Sequence, residues 1–126
     1  MRIFKTKWFT RFAKKQGISD ATLCKVVQDI ETGKIDADLG DGVIKQRIAR
    51  PGQGKSAGYR SIILYQKGDK AFFIYGFAKN EQENIAEHEE RAFKELAIKF
   101  FTYSNHELAE AVAEETFKEI NSDEQE

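Results

Sequence analysis

The chain has 126 residues, of which 40% are hydrophobic and 33% charged, with 20 basic and 21 acidic side chains. This length suits a single domain, and no apolar run approaches the roughly 20 residues that a membrane-spanning helix needs. The single cysteine excludes a disulfide framework, and no Cys/His cluster has zinc spacing. The first residues are too few and too charged for a secretory signal. We therefore expect a cytoplasmic protein with no membrane segment, metal or cofactor.

The net charge of −1 hides a strong asymmetry along the chain. Residues 1–79 hold 16 basic and 7 acidic side chains, a net of +9. Residues 80–126 hold 4 basic and 14 acidic ones, a net of −10. This pattern is consistent with a basic surface that faces a polyanion, or with two ordinary solvated faces of opposite sign.

The N-terminal third predicts a short strand followed by two helices. Arg2 to Phe4 is a candidate edge strand, and Lys7 to Lys15 is a helix that carries an aromatic cluster of Trp8, Phe9 and Phe12. A second helix starts after the N-cap Ser19 and stops at Gly33. Its apolar positions follow helical spacing: Leu23, Val26, Val27 and Ile30. Cys24 borders this stripe and is expected to pack as a small hydrophobe.

The middle of the chain predicts three strands. Lys34 to Gly42 reads as a polar connection, and Val43 to Ala49 alternates apolar and basic residues as a half-buried strand does. Tyr59 to Gln66 and Ala71 to Ala78 are rich in β-branched and aromatic residues, with hairpin turn chemistry between them. The last of these strands is apolar on both faces, so it should be central.

Two capping boxes predict two C-terminal helices. Asn80 with Glu83 begins a long helix to about Phe101. Its expected core stripe is Ile85, Ala92, Phe93, Leu96 and Phe100. Ser104 with Glu107 begins the second helix. Its expected stripe is Ala109, Val112, Ala113, Thr116 and Ile120.

The element order predicts an α+β fold: an antiparallel sheet with two N-terminal helices, a long helix after the sheet and an extra C-terminal helix. Residues 1–103 would form the main domain. Residues 104–126 would form an acidic helical extension, with 8 acidic side chains and one Lys, packed on the same domain. Two docking sites stay open: the domain's own apolar surface, which we favour, or a groove near the basic residues around Lys55.

The loop from Ala49 to Ser56 matches a relaxed Walker A pattern, A-x-x-x-x-G-K-S. That motif works only if a helix begins at its lysine, because the helical amides hold the phosphates. The residues that follow here, Tyr59 to Tyr65, predict a strand instead. We therefore interpret the match as a coincidence and not as an ATP site.

Cations nevertheless gather around this loop: Lys45, Arg47, Arg50, Lys55 and Arg60. Cations that share one sheet face form a site for a phosphate backbone. Tyrosines nearby, namely Tyr59, Tyr65 and Tyr75, are candidates for stacking on unpaired bases or for packing in the core. The alternative for the cations is an ordinary solvated face.

Three segments carry a resemblance to a known family. They are Val43–Ala49 (VIKQRIA), Gly54–Arg60 (GKSAGYR) and Tyr75–Glu81 (YGFAKNE). Together they resemble the RelE/ParE superfamily of bacterial type II toxins, nearest to the RelE-like and HigB-like ribonuclease branch. The resemblance covers about residues 2–101.

The resemblance implies a microbial RNase-type fold and an mRNA interferase. Such a toxin is a metal-independent endoribonuclease that cleaves mRNA in the ribosomal A site, inhibits translation and leaves a 2′,3′-cyclic phosphate. The implied partners are the ribosome, mRNA and a cognate antitoxin from the same operon, with operator DNA bound only through the antitoxin complex.

The family's site residues transfer to this chain position by position. Lys55 and Arg60 would bind phosphate and stabilise the transition state, and Lys79 would contact phosphate or serve as the acid. Tyr75 is the candidate base or stacking residue. Four residues would bind RNA: Lys45, Arg47, Arg50 and Tyr59.

Neither histidine is near the basic loop in the sequence, because His88 and His106 fall in the acidic half. Lys and Arg are weak acids and bases at neutral pH, so we expect little cleavage of RNA away from the ribosome. Two other functions stay open: a ParE-type poison of DNA gyrase, and a non-catalytic RNA-binding module.

Overall fold

The computed structural model describes the backbone of residues 1–50 and 54–120, and the side chains of residues 1–49 and 58–120. The four helices in these ranges are α1 (Lys7–Gln16), α2 (Asp20–Glu31), α3 (Glu87–Phe101) and α4 (Asn105–Ala113). The six strands are β1 (Arg2–Thr6), β2 (Ala37–Gly40), β3 (Val43–Arg50), β4 (Gly54–Gln66), β5 (Lys70–Ala78) and β6 (Phe117–Ile120). The described chain is therefore of mixed α+β class, as predicted.

All six strands belong to one sheet, in the order β2-β3-β4-β5-β1-β6. The sheet is mixed, because β1 runs parallel to β5 while the other neighbours are antiparallel. The prediction of an antiparallel sheet with β1 at its edge is therefore wrong. Parallel neighbours need a long crossover, and here the chain between β1 and β5 provides it. The central position of β5 is confirmed.

The sheet is covered on both faces. On the first face α1 and α2 pack through Phe9, Leu23 and Val27 against Ile63 and Phe73. The second face holds another apolar cluster, in which α3 and α4 pack against the sheet. Its largest members are Phe4, Phe72, Phe100, Leu108 and Phe117.

The two N-terminal helices form where their local signals lie. Ser19 caps α2, and its hydroxyl accepts a hydrogen bond from the Thr22 amide. Gly17 ends α1 with φ +71°, in the left-handed region that favours glycine. Cys24 is buried beside the α2 stripe, as expected.

Part of the segment predicted as a connection is the edge strand β2. It pairs with β3 from Ala37 to Gly40, with an irregularity between Asp38 and Gly40. Asp and Gly have low strand propensity, so the sequence carries no local signal for it. Pairing with the neighbouring strand determines its conformation.

The long helix starts later than its first capping box predicts. Asn80 and Glu83 lie before the helix, which begins at Glu87. The Ala86 amide donates to Glu89 Oε1 at 2.9 Å, so Glu89, and not the predicted Glu83, caps the first turn of the helix. The predicted stripe is also partly wrong, because Ala92 is exposed and Ala97 is buried.

The second capping box is confirmed: the Glu107 amide donates to the Ser104 hydroxyl, and the Ser104 amide donates to Glu107 Oε1. However, α4 ends at Ala113, and Glu115 has φ +63°, which is incompatible with a continuing helix.

The chain then forms β6, which pairs antiparallel with β1. The prediction of a helix through Thr116 and Ile120 is wrong, because pairing with β1 and burial of Phe117 override the helical spacing. Residues 105–120 thus contribute to the sheet and to its second apolar cluster.

Candidate functional site

Three cations share one part of the second sheet face. Lys45 and Arg47 lie on β3, where they alternate with the buried Ile44 and Ile48 of the first face. Arg60 lies directly opposite Arg47 in the register of β3 and β4. We call Lys45, Arg47 and Arg60 the cationic face. Beyond it on the same sheet face, α3 packs over Val43, Leu64 and Phe72.

Arg47 is held by an acidic partner. Its Nη2 and Nε atoms lie 2.9 Å and 3.1 Å from Asp36 Oδ1, and its backbone amide donates to Asp36 Oδ2 at 2.7 Å. The hydrogen bonds that the Arg47 guanidinium donates to Asp36 raise its pKa, and the negative charge of Asp36 adds to this effect. Arg47 is thus engaged in an ion pair within the chain, with Asp36 offsetting part of its charge. Sequence reasoning missed Asp36, because it lies in the polar stretch before β2.

Lys45 has no carboxylate partner among the described residues. Its ammonium donates to Asn84 Oδ1 at 3.1 Å. Asn84 lies just before α3, and its side chain also accepts from the Ile85 amide. This contact fixes the residues before α3 beside β3, and it accompanies the late start of the helix.

Arg60 and Lys79 lie at the same end of the sheet. Arg60 is half-buried and donates from Nη1 to the Tyr59 carbonyl at 3.4 Å. The Lys79 amide donates to the Gly58 carbonyl at 3.3 Å, so the end of β5 lies beside the β4 residues that precede Arg60. The Lys79 side chain is exposed. Two cations placed at the same end of a sheet are suited to binding an anion.

Tyr75 is half-buried on β5 next to the cationic face, because it lies opposite Ile62, two residues after Arg60. Its ring stacks on Trp8 with centroids 4.7 Å apart, and Phe93 lies 5.8 Å away. Its hydroxyl contacts Gln82 Oε1 at 3.4 Å. The sequence placed Tyr75 as a site candidate but gave no sign of its contact with Trp8, which depends on tertiary structure.

Tyr59 lies on the other face of the sheet. It belongs to the first apolar cluster, is only 4% exposed, and its hydroxyl contacts Gln16 Oε1 at 3.1 Å. Neighbouring residues of a strand point to opposite faces, so the ring of Tyr59 cannot share the face of Arg60.

The side chains of Arg50 and Lys55 lie outside the described residues. The backbone still decides the Walker A question, because Lys55 lies within β4. The predicted strand after the loop is confirmed, and the helix that a P-loop requires at its lysine is replaced by that strand.

The two histidines lie on the helices of the acidic half. His88 is in the first turn of α3, and His106 is in the first turn of α4, 2.6 Å from Glu110. Within residues 1–50 and 54–120, no three His, Cys, Asp or Glu side chains are grouped to hold a metal ion. No helix in the same ranges has the length and apolar character to cross a membrane.

Fold and site together define a small α+β protein whose sheet presents cations beside a half-buried tyrosine. The model of one protein family, the RelE toxin of the RelE/RelB toxin-antitoxin system, matches residues 1–120. The chain therefore belongs to the RelE toxin family, within the RelE/ParE superfamily of type II toxins. The match includes residues 104–120, which the sequence resemblance did not explain. No curated protein and no solved structure is significantly similar to the chain.

Proposed function

We propose that this toxin is a ribosome-dependent endoribonuclease that cleaves mRNA in the A site and so inhibits translation. The observation that carries the proposal is the position of Arg60, Lys79 and Tyr75 at one end of the sheet, in a chain of the RelE family. The family supplies the reaction class, and the cations supply the means to bind its polyanionic substrate.

In the proposed reaction the 2′-hydroxyl of one nucleotide attacks the adjacent phosphorus. A bond forms between O2′ and phosphorus, and the bond to the leaving O5′ breaks, which gives a 2′,3′-cyclic phosphate and a 5′-hydroxyl. Negative charge develops on the phosphorane oxygens, where Arg60 and Lys55 would stabilise it. Lys79 would donate a proton to O5′. Tyr75 would first release its phenolic proton to solvent and then accept the proton of the 2′-hydroxyl.

Binding of the RNA backbone is assigned to Lys45 and Arg50. Arg47 contributes less in this proposal than the sequence suggested, because Asp36 already accepts its hydrogen bonds. Tyr59 is omitted because its ring is buried in the opposite apolar cluster. The partners are the ribosome, mRNA and an antitoxin from the same operon, and the site of action is the cytoplasm.

Induction of the toxin in growing cells, followed by pulse-labelling, tests this proposal. Wild-type protein should stop amino-acid incorporation first, whereas a gyrase poison would first induce the DNA damage response. An RNA-binding module without activity would produce neither effect. Either of the last two results would overturn the proposal.

Substitutions then test the site. Arg60→Ala and Lys79→Ala should each reduce the rate of cleavage by about 100-fold, the effect of losing one transition-state contact. Lys67→Ala is the matched control, because it removes another exposed lysine, from the β4–β5 turn at the opposite end of the hairpin. Folded Arg60 and Lys79 variants that arrest growth as well as wild type would show that the assigned residues are wrong.

A further inference from the structure

A pocket of about 370 Å³ lies between α1, the end of β5 and the turn that follows it. One wall is aromatic and contains Trp8, Phe12 and Tyr75. Polar and charged groups complete the lining. The proposed catalytic reaction uses only Tyr75 of these residues.

The aromatic wall is packed against its neighbours and is still accessible. Trp8 is 45% exposed, although its ring stacks on the rings of Tyr75 and Phe12, with centroid distances of 4.7 Å and 5.5 Å. Gly76 lets the Phe12 ring lie directly on β5, since a Cβ there would come within 2.5 Å of Phe12 Cε2. Accessible aromatic surface held by its neighbours is what a protein uses to stack unpaired bases.

The charge of the pocket suits phosphate. Arg11 and Lys15 line it from successive turns of α1, and neither makes an ion pair within the described part of the chain. Glu81 also lines the pocket and opposes anion binding, so the charged lining has a net of +1. Gln16 accepts a hydrogen bond through Oε1, which leaves its amide NH₂ group to donate to a ligand.

The pocket adjoins the proposed cleavage site. Tyr75 and Phe77 line the pocket, and Phe77 lies directly opposite Arg60 in the register of β4 and β5. One RNA strand can therefore reach both the Arg60 side of the sheet and the α1 side.

From these observations we propose that the pocket binds one unpaired nucleotide of the mRNA beside the cleaved bond. Its base packs against Trp8, and its flanking phosphates contact Arg11 and Lys15. This inference rests on the proposed function, because it takes mRNA as the substrate.

Trp8 is the only tryptophan of the chain, so its fluorescence reports on this pocket directly. The probe is a 2′-O-methyl hexanucleotide, which lacks the attacking hydroxyl and stays intact. Titration of the full chain should quench Trp8 in a saturable manner, with weaker binding at higher salt. A glutamate-rich peptide of the same charge serves as the competing class of ligand. Stronger quenching by the peptide, or no quenching by the RNA, would overturn the proposal.

Two sets of variants make the test specific. Arg11→Gln with Lys15→Gln should flatten the slope of log affinity against log salt by about 1.4, since each single-strand phosphate contact contributes about 0.7. Lys14→Gln with Lys67→Gln is the control: it removes the same charge from α1 and from the β4–β5 turn, outside the pocket. Equal slopes for the two double variants would contradict the assignment.

Trp8→Leu should weaken binding of fluorescein-labelled hexanucleotide about 5- to 150-fold, as loss of one stacked base predicts. Circular dichroism shows whether the variant is folded, and Trp8→Phe, which retains an aromatic ring, should restore most of the affinity. Unchanged binding by folded Trp8→Leu would refute the assignment of the pocket to a nucleotide, but it would not contradict the proposed function of the toxin. Failure of wild-type protein to arrest translation would instead refute the proposed function, and the binding data would still decide the pocket.

Discussion

Replacement of Phe117 by Ala should strongly destabilise the protein. Phe117 lies on β6 with only 4% of its surface exposed. Its ring is surrounded by four others, with centroids between 5.1 Å and 6.0 Å: Phe4, Phe72, Phe100 and Tyr103. These partners come from β1, β5, α3 and the residue before the N-cap of α4. Because they belong to different elements, they cannot all move inward to fill the cavity that Phe117→Ala would leave.

Removal of such a ring costs about 3–5 kcal/mol in the free energy of unfolding. A domain of this size is stable by about 5–15 kcal/mol, so the loss is a large part of the total. Urea unfolding followed by far-UV circular dichroism measures it. Lys118→Ala is the matched control, because Lys118 is exposed on the same strand and should change stability by less than about 0.5 kcal/mol. A loss below about 1 kcal/mol for Phe117→Ala would refute the place of β6 in the core.

Three other changes test local features. Gly76→Ala should cost about 1–3 kcal/mol in unfolding free energy, because its Cβ meets the Phe12 ring at 2.5 Å, and Phe12→Leu in the same chain should recover part of it. Hydrogen bonds from Ser104 lower the pKa of Glu107 below its ordinary value of 4.5. The ionised carboxylate therefore stabilises the fold fully at pH values above 4.5, and this stabilisation is lost as the pH falls through the lowered pKa. Glu107→Ala should therefore lower the melting temperature at pH 7 but converge with wild type in acid. Burial, with a smaller effect from the Asp20 charge, raises the pKa of the Cys24 thiol, so iodoacetamide should label it slowly until urea unfolds the chain. Equal labelling rates in both states would contradict its burial.

The helices α1 and α2 were predictable because their signals are local. Ser19 supplies a cap, Gly17 a left-handed end, and the apolar residues recur at helical spacing. The strands β2 and β6 were not predictable in this way, because their pairing partners are distant in sequence. For β6, the spacing of Val112 and Thr116 imitated a helix, while the strand depends on β1.

The candidate site was predictable to the extent that strand alternation governs it. Lys45 and Arg60 share a face because both follow the period of two along β3 and β4. The same rule, applied to Tyr59 beside Arg60, predicts that its ring lies on the opposite face. The pairing of Arg47 with Asp36 and the contact of Trp8 with Tyr75 depend on elements that meet only in the folded chain.

Cleavage of mRNA on a programmed ribosome tests the central claim most directly. Purified toxin is added to ribosomes that hold mRNA with an empty A site, and primer extension maps the 5′ ends. We predict one main cut within the A-site codon, a 2′,3′-cyclic phosphate on the upstream fragment, and about 100-fold slower cleavage by Arg60→Ala than by Lys67→Ala. The claim of ribosome-dependent cleavage would be contradicted if mRNA stayed intact on ribosomes with wild-type toxin, or if the same mRNA were cut equally fast without ribosomes.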